Sequence, residues 1–222
     1  MKRTYLAAIL VLFSLAIAGC GGDHNNPPPT ITTQILSDPA FDGDILQTSP
    51  TTYAITQGMT PTVQSVFAGM DPVTGNEYRA FLDFPLGGAG GVPLNAVIVS
   101  ATLDIVINNV FLQSPSNTIP IRIELVSIPG PTLVAPDDFS RTLLPAITFT
   151  TILPPISSAD VGNHVPIDVT SLMVQAQNLA LSDFQVRIME DLGVVAPGII
   201  EINDATGSVR DAVAPLLQVE YQ

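Results

Sequence analysis

The chain has no tryptophan, one cysteine and two histidines among its 222 residues, and its only lysine is Lys2. Each shortage removes something. A lone cysteine cannot close an internal disulfide. Both Lys2 and Arg3 precede residue 20, so the rest of the chain holds five arginines against twenty acidic residues, a net charge near −15. Such a surface repels phosphate backbones, which speaks against nucleic acid as a partner. The absence of tryptophan takes away the ring that most often stacks on sugars. The one long apolar run, Tyr5 to Ala18, is broken only by Ser14. It is shorter than the roughly 20 residues that a membrane-spanning helix needs.

That run is nonetheless laid out as a secretory signal, with Lys2 and Arg3 ahead of it and small residues at its end. Its close, Ile17-Ala18-Gly19-Cys20, resembles the lipobox of bacterial lipoproteins. Small side chains let the extended chain enter a signal peptidase, and the Cys20 thiol can take a diacylglycerol. The resemblance implies a signal peptide over 1–19, cleavage before Cys20 and acylation of Cys20 (diacylglycerol plus a palmitate-type chain), with the lipid bilayer as a partner. Each buried CH₂ contributes about 0.8 kcal/mol, so one chain holds only marginally and two or three hold stably. Gly21 follows the cysteine where Asp often marks inner-membrane retention, so the outer membrane is the expected address in a Gram-negative envelope.

Residues 20–30 continue as GGDHNNPPPT after the cysteine, a tether in which glycine gives slack and three prolines favour extended backbone. His24 lies there as a solvated linker residue, because a metal site needs several convergent ligands. Residues 31–222 are long enough for one domain with a core of its own.

Within that domain, apolar and polar residues alternate over Arg79–Phe84, Val99–Ile107 and Ile121–Leu125, the period of a strand with one buried face. Segments 62–67, 146–152, 184–189, 199–203 and 216–221 are strand-like as well. Asp71-Pro72 through Gly75-Asn76 has the composition of a hairpin turn, and Gly87–Gly91 that of a flexible loop. Leu172, Met173, Ala176 and Leu179 recur at helical spacing behind Thr170, which predicts one short helix with Thr170 as its N-cap. The fold class expected is all-β: an antiparallel β-sandwich, jelly-roll-like, with one short α-helix.

Arg79–Phe84, Val97–Leu103 after the glycine-rich loop, Asp168-Val169-Thr170 and Pro215–Tyr221 resemble, in order, the landmarks of the DNRLRE domain family. That family is related to disaggregatase repeats and to some carbohydrate-binding modules. The resemblance spans most of 38–221 and implies a jelly-roll surface module, in some members binding polysaccharide. This chain departs from the family in lacking the tryptophan-containing segment ahead of Asp-Val-Thr. Tyr53 and Tyr78 are then the ligand-binding candidates, since a sugar platform needs ring faces.

Catalytic chemistry has few candidates. The folded part holds one histidine, His164, between Gly162-Asn163 and Val165-Pro166, and there is no G-x-S-x-G elbow. His164 is expected at a turn or strand edge. Asp137-Asp138 and Glu190-Asp191 are acid pairs, but a glycosidase pair is defined by separation in space. Asp42-Gly43-Asp44, with Asp38 nearby, is the densest candidate for a structural calcium, metal ligands Asp42 and Asp44, although the spacing is not that of an EF-hand. No cofactor is otherwise expected. The function expected is a membrane-anchored surface lipoprotein carrying a non-catalytic binding or structural module for polysaccharide or an envelope protein. The alternatives are an envelope polysaccharide hydrolase using paired carboxylates and a subunit of a surface protein complex.

Overall fold

The computed structural model describes residues 28–114, 117–191 and 197–222. The signal, the lipobox with Cys20, and His24 lie outside the described residues. Twelve strands run β1 (Ile31–Leu36), β2 (Gly43–Ser49), β3 (Thr52–Gln57), β4 (Ser65–Met70), β5 (Glu77–Pro85), β6 (Ile98–Leu112), β7 (Ile121–Val126), β8 (Thr148–Thr151), β9 (His164–Asp168), β10 (Asp183–Glu190), β11 (Gly198–Asn203) and β12 (Leu216–Tyr221). Helices α1 (Thr170–Asn178) and α2 (Arg210–Val213) interrupt them. The order β1-β12-β6-β11-β4-β5-β10-β7-β8 is antiparallel throughout, with β2 and β3 added beside β5 and β9 beside β6. This is the all-β, sandwich-like fold, built from one curled sheet.

The curl is organised by β6. Its first part pairs with β12 and β9, and its last part, from Ile107 to Leu112, pairs with β11. A strand of 15 residues is far longer than the usual five or six, and this one serves both halves of the sandwich. Ala101, Leu103 and Ile105 point inward and meet Ala80, Leu82 and Phe84 of β5, Phe184 and Val186 of β10, and Leu172 and Met173 of α1 in one core.

Several boundaries differ from the sequence reading. The strand expected over 62–67 begins at Ser65, because Thr60 and Val63 exchange main-chain hydrogen bonds and turn the chain first. Strands β1, β2, β3 and β9 carry no clear alternation in the sequence. Their apolar residues are sparse, and β3 is mostly exposed. Thr170 is not the N-cap: Val169 holds that position, while the Thr170 hydroxyl accepts from Ala101 N (3.0 Å) and Asp168 Oδ1 accepts from Thr170 N (2.9 Å). A second helix, α2, adds to the single one expected. The turn at Asp71–Asn76 is the β4–β5 hairpin, where Gly75 at φ 72° supplies the left-handed backbone.

The sheet also has a covered outer face. Residues 127–147, between β7 and β8, fold back as a strap, and Ile128, Leu133 and Phe139 pack on Phe41, Ile45, Phe81 and Val126 as a second core. Gln57 holds the strap's first part, donating to Pro131 O (3.0 Å) and accepting from Leu133 N (2.9 Å). Its second part is held by arginines. Arg187 is fully buried; it donates to Glu124 Oε2 through Nε (3.0 Å) and Nη2 (2.6 Å), to Asp138 O (2.8 Å) and to Leu144 O (2.9 Å). Glu124 Oε1 accepts from Arg122 (2.7 Å) and Arg141 (3.0 Å). Arg79 reaches Phe139 O and lies 3.9 Å over that ring's centroid. Burial alone would raise the Glu124 carboxyl, but Arg187, Arg141 and Arg122 outweigh it and hold it below the usual range.

Removing one partner of a buried ion pair strands the other charge, at a cost of about 3–5 kcal/mol. Glu124→Leu should therefore destabilise the protein by about that amount. Arg187→Met should cost less, since Arg122 and Arg141 still neutralise Glu124. Urea unfolding of the two variants checks this; a Glu124→Leu variant as stable as the wild type would contradict it.

Candidate functional site

The sheet register decides where the candidate tyrosines point. Gln47 of β2 lies opposite Tyr53 of β3 and Glu77 of β5, whereas Leu46 lies opposite Ala54 and Tyr78. Neighbouring residues of a strand face opposite ways, so Tyr53 and Tyr78 lie on opposite faces and cannot form one platform. Tyr53 faces the strap: its ring meets Phe139 edge-on at 5.4 Å, and its hydroxyl accepts from Gln47 Nε2 (2.8 Å). Tyr78 faces the other way, against Phe67 at 5.6 Å. Burial, with Asp44 and Asp71 nearby, raises its phenol.

Asp42 and Asp44 are not free to share a cation either. Asp42 Oδ1 accepts from Asp83 N (2.9 Å), and Asp44 Oδ2 accepts from Phe67 N (3.1 Å). Between them, a Cβ on Gly43 would stand 2.2 Å from Thr56 O, so glycine is required by the close approach of β3. Asp42 also lies beside Asp204 and Arg210. Arg210 donates to Asp204 Oδ1 (2.6 Å), to Ser37 Oγ (3.1 Å) and to Ser37 O, and passes 3.9 Å from Asp42 Oδ2. Burial and the Asp204 charge push the Asp42 carboxyl well up, and burial pushes Asp44 up to about 7. Calcium asks for six to eight oxygens. Among the described residues no group of three His, Cys, Asp or Glu side chains could hold a metal.

The other acids have structural surroundings. Asp138 is buried in the strap, where Oδ2 accepts from Val134 N (2.5 Å), while Asp137 is exposed. Glu190 closes β10 with Oε2 unpartnered, and burial with Glu77 nearby raises it to about 7. His164 opens β9, and its Nδ1 is 2.7 Å from Asp104 Oδ2. This pair borders a groove of about 320 Å³ with Gln34, Thr102 and Gln218, in which Thr102 carries the one hydroxyl among the described lining residues. Sixty residues separate the two partners in sequence, and only the β6–β9 register joins them.

A different groove, of about 450 Å³, collects acids that sequence spacing did not connect. Gln185 of β10 lies opposite Asp83 of β5, and Asp183, two residues earlier, shares its face. The turn at Asp38–Phe41 and the start of the strap at Ile128–Pro131 form the walls. Asp38 is tied in by its N–H to Asp83 O (2.7 Å) and by Oδ1 accepting from Ala40 N (2.9 Å). Asp183 Oδ2 accepts from Ser182 Oγ (2.6 Å). Asp83 is only 7% exposed, and its Oδ1 has no hydrogen-bond partner. Burial, augmented by Asp183 and Asp38 and opposed by a Gln185 hydrogen bond, pushes its carboxyl up to about 6.

No known protein-family model matches the chain, and no curated protein matches it. Among the described residues no helix is long and apolar enough to cross a membrane. The groove is the candidate site on its geometry, because it joins a cleft lined by three carboxylates to the buried, unpartnered Asp83 Oδ1.

Asp44, Asp83 and Glu190 have folded-state values of about 7, 6 and 7. Unfolded carboxyls titrate near 4, so between about pH 4 and 7 the native state holds protons that the unfolded chain has lost. Their stabilisation is complete below the unfolded value and is lost as pH rises through the folded ones. The melting temperature should thus fall between about pH 4 and pH 7, and Asp44→Asn should flatten that slope. Differential scanning fluorimetry across this range checks it; a melting temperature that rises with pH would contradict the reading.

Proposed function

We propose that this chain is an envelope lipoprotein, cleaved before Cys20 and acylated there, that presents a non-catalytic, DNRLRE-like β-sandwich for binding polysaccharide or an envelope protein. In a Gram-negative cell its address is the outer membrane. The anchor rests on the Ile17-Ala18-Gly19-Cys20 motif and the tether behind it. The four segments that carry the family resemblance fall on β5, β6, the β9–α1 junction and β12.

The observation that carries the binding function is the groove over the β5–β10 pair. Carboxylates accept hydrogen bonds from hydroxyls, and the Ile128–Pro131 wall, tied to β10 by Ile128 N donating to Gln185 Oε1 (2.7 Å), offers an aliphatic surface to the C–H face of a sugar ring. Polar groups set on strands beneath an apolar wall form a binding site without needing a nucleophile.

One observation favours a hydrolase as second reading. Asp83 is raised to about 6 beside Asp183 and Asp38, and carboxyls pushed apart in this way can divide the roles of acid and base. Incubating the full-length protein, in a non-ionic polyoxyethylene detergent, with a panel of envelope and plant polysaccharides separates the two. The binding module retains a polymer and releases no new reducing ends. Turnover that disappears in a folded Asp83→Asn variant would replace it with the hydrolase.

The anchor has its own test. The native protein should partition with membranes and show acyl mass on Cys20, and Cys20→Ser should block processing or release the protein. An unacylated chain cut elsewhere, seen by intact-mass analysis, would overturn the lipoprotein reading.

A further inference from the structure

We propose that the β5–β10 groove takes a protonated primary amine borne on a sugar ring, with Asp83 as its principal acceptor and Asp38 and Asp183 beside it. This rests on the reading of the domain as a polysaccharide-binding module and specifies the class of sugar.

Three carboxylates, Asp38, Asp83 and Asp183, line this groove, and among the described residues no cationic side chain lines it with them. The domain has only five arginines, and all are held elsewhere: four under the strap around Glu124 and Phe139, and Arg210 by Asp204 and Ser37. Asp83 Oδ1 is thereby left buried and unpartnered, a state that costs free energy until a donor fills it. A ligand that answers these acceptors carries positive charge and N–H donors. An ammonium brings three donors and no acceptor, which suits a set of carboxylates. A calcium ion would require six to eight oxygens, and no three acids here could hold a metal.

The surroundings separate an amino sugar from a lysine-bearing peptide. An extended peptide docks by adding to a free strand edge. At this groove no edge is free: β10 lies between β5 and β7, Asp83 N is bonded to Asp42 Oδ1, and Asp83 O accepts from Asp38 N. What remains is the carboxylates and an aliphatic wall at Ile128, Pro129 and Pro131, which match a ring with hydroxyls and one amine. The volume of about 450 Å³ falls within the range of small-ligand sites.

Binding should depend on pH through Asp83. The charged and titratable groups facing it are Asp38 and Asp42 from the segment before β2 and Asp183 on β10, while Ile128–Pro131 contributes none. Acidification protonates Asp83 and removes the charge that attracts the amine.

The test is titration calorimetry on the full-length protein in the same detergent, using a glucosamine tetramer, the N-acetylglucosamine tetramer, tetralysine and CaCl₂. The glucosamine tetramer should bind at least about tenfold more tightly than its N-acetylated counterpart. Its affinity should fall from about pH 7 to pH 5, and Asp83→Asn should weaken it by about tenfold or more. Removal of a buried, unpaired charge should leave the melting temperature of Asp83→Asn at or above that of the wild type, which separates loss of binding from loss of fold; Asp183→Asn at the groove mouth provides a second, milder variant. Equal binding of the two tetramers would overturn the amine while leaving the polysaccharide reading standing. Tetralysine binding as tightly as the amino sugar would overturn the sugar, and calcium binding abolished by Asp83→Asn would replace the amine with a metal. If neither tetramer binds, the groove assignment fails, and the module reading is decided separately by the polysaccharide panel.

Discussion

The buried bond between Glu124 and Arg187 is the interaction on which the outer half of the molecule depends. A guanidinium at 0% exposure would be prohibitively desolvated without a carboxylate, and Glu124 supplies one in a two-pronged contact. The remaining Arg187 donors point at Asp138 O and Leu144 O, so the same charge that neutralises Glu124 also fixes the strap's backbone. The strap in turn covers Phe81 and Ile45 and forms one wall of the β5–β10 groove.

This arrangement sets the electrostatics of the surface. Arginine pairs well with planar acceptors and stacks on rings, and the protein uses both properties: Arg79 lies over the buried Phe139, and Arg122 lies 3.4 Å over the centroid of the exposed Phe149. Since the five arginines of the domain are engaged by Glu77, Glu124, Asp204, Ser37 and strap carbonyls and no lysine follows Lys2, little positive charge is left to moderate the remaining acids.

Buried carboxyls are the counterpart of this internal use of arginine. Asp42 is crowded by Asp204 and shares one cation with it, Asp44 relies on a single main-chain donor, and Asp83 leaves an oxygen unpartnered. Asp42, just ahead of β2, and Asp44 within it stitch this segment to its neighbours through main-chain N–H groups of Asp83 and Phe67, which is why two acids are buried there. Asp83 has no such bond through its side chain to a main-chain donor, and it alone of the three faces a cleft.

The sequence by itself determined the period-two strands at β5, β6 and β7 and the strand-like segments at β10, β11 and β12, because β-branched and apolar residues concentrate where strands pack in the core. It also determined the helix at α1, the hairpin at Asp71–Asn76 and the all-β class. It could not indicate β2 or β3, whose residues are covered on one side by the strap or left exposed, so that no simple alternation appears. Only the tertiary structure decided which polar residues meet. Tyr53 and Tyr78 look equivalent in sequence, yet the β3–β2–β5 register sends them to opposite faces. Asp38, Asp83 and Asp183 are spread over nearly 150 positions and carry no shared motif, yet the β5–β10 register and the Asp38 N–H to Asp83 O bond gather them in one groove. Local pattern reports which face of an element is buried, whereas the convergence of distant side chains depends on strand pairing, which is fixed by the whole chain at once.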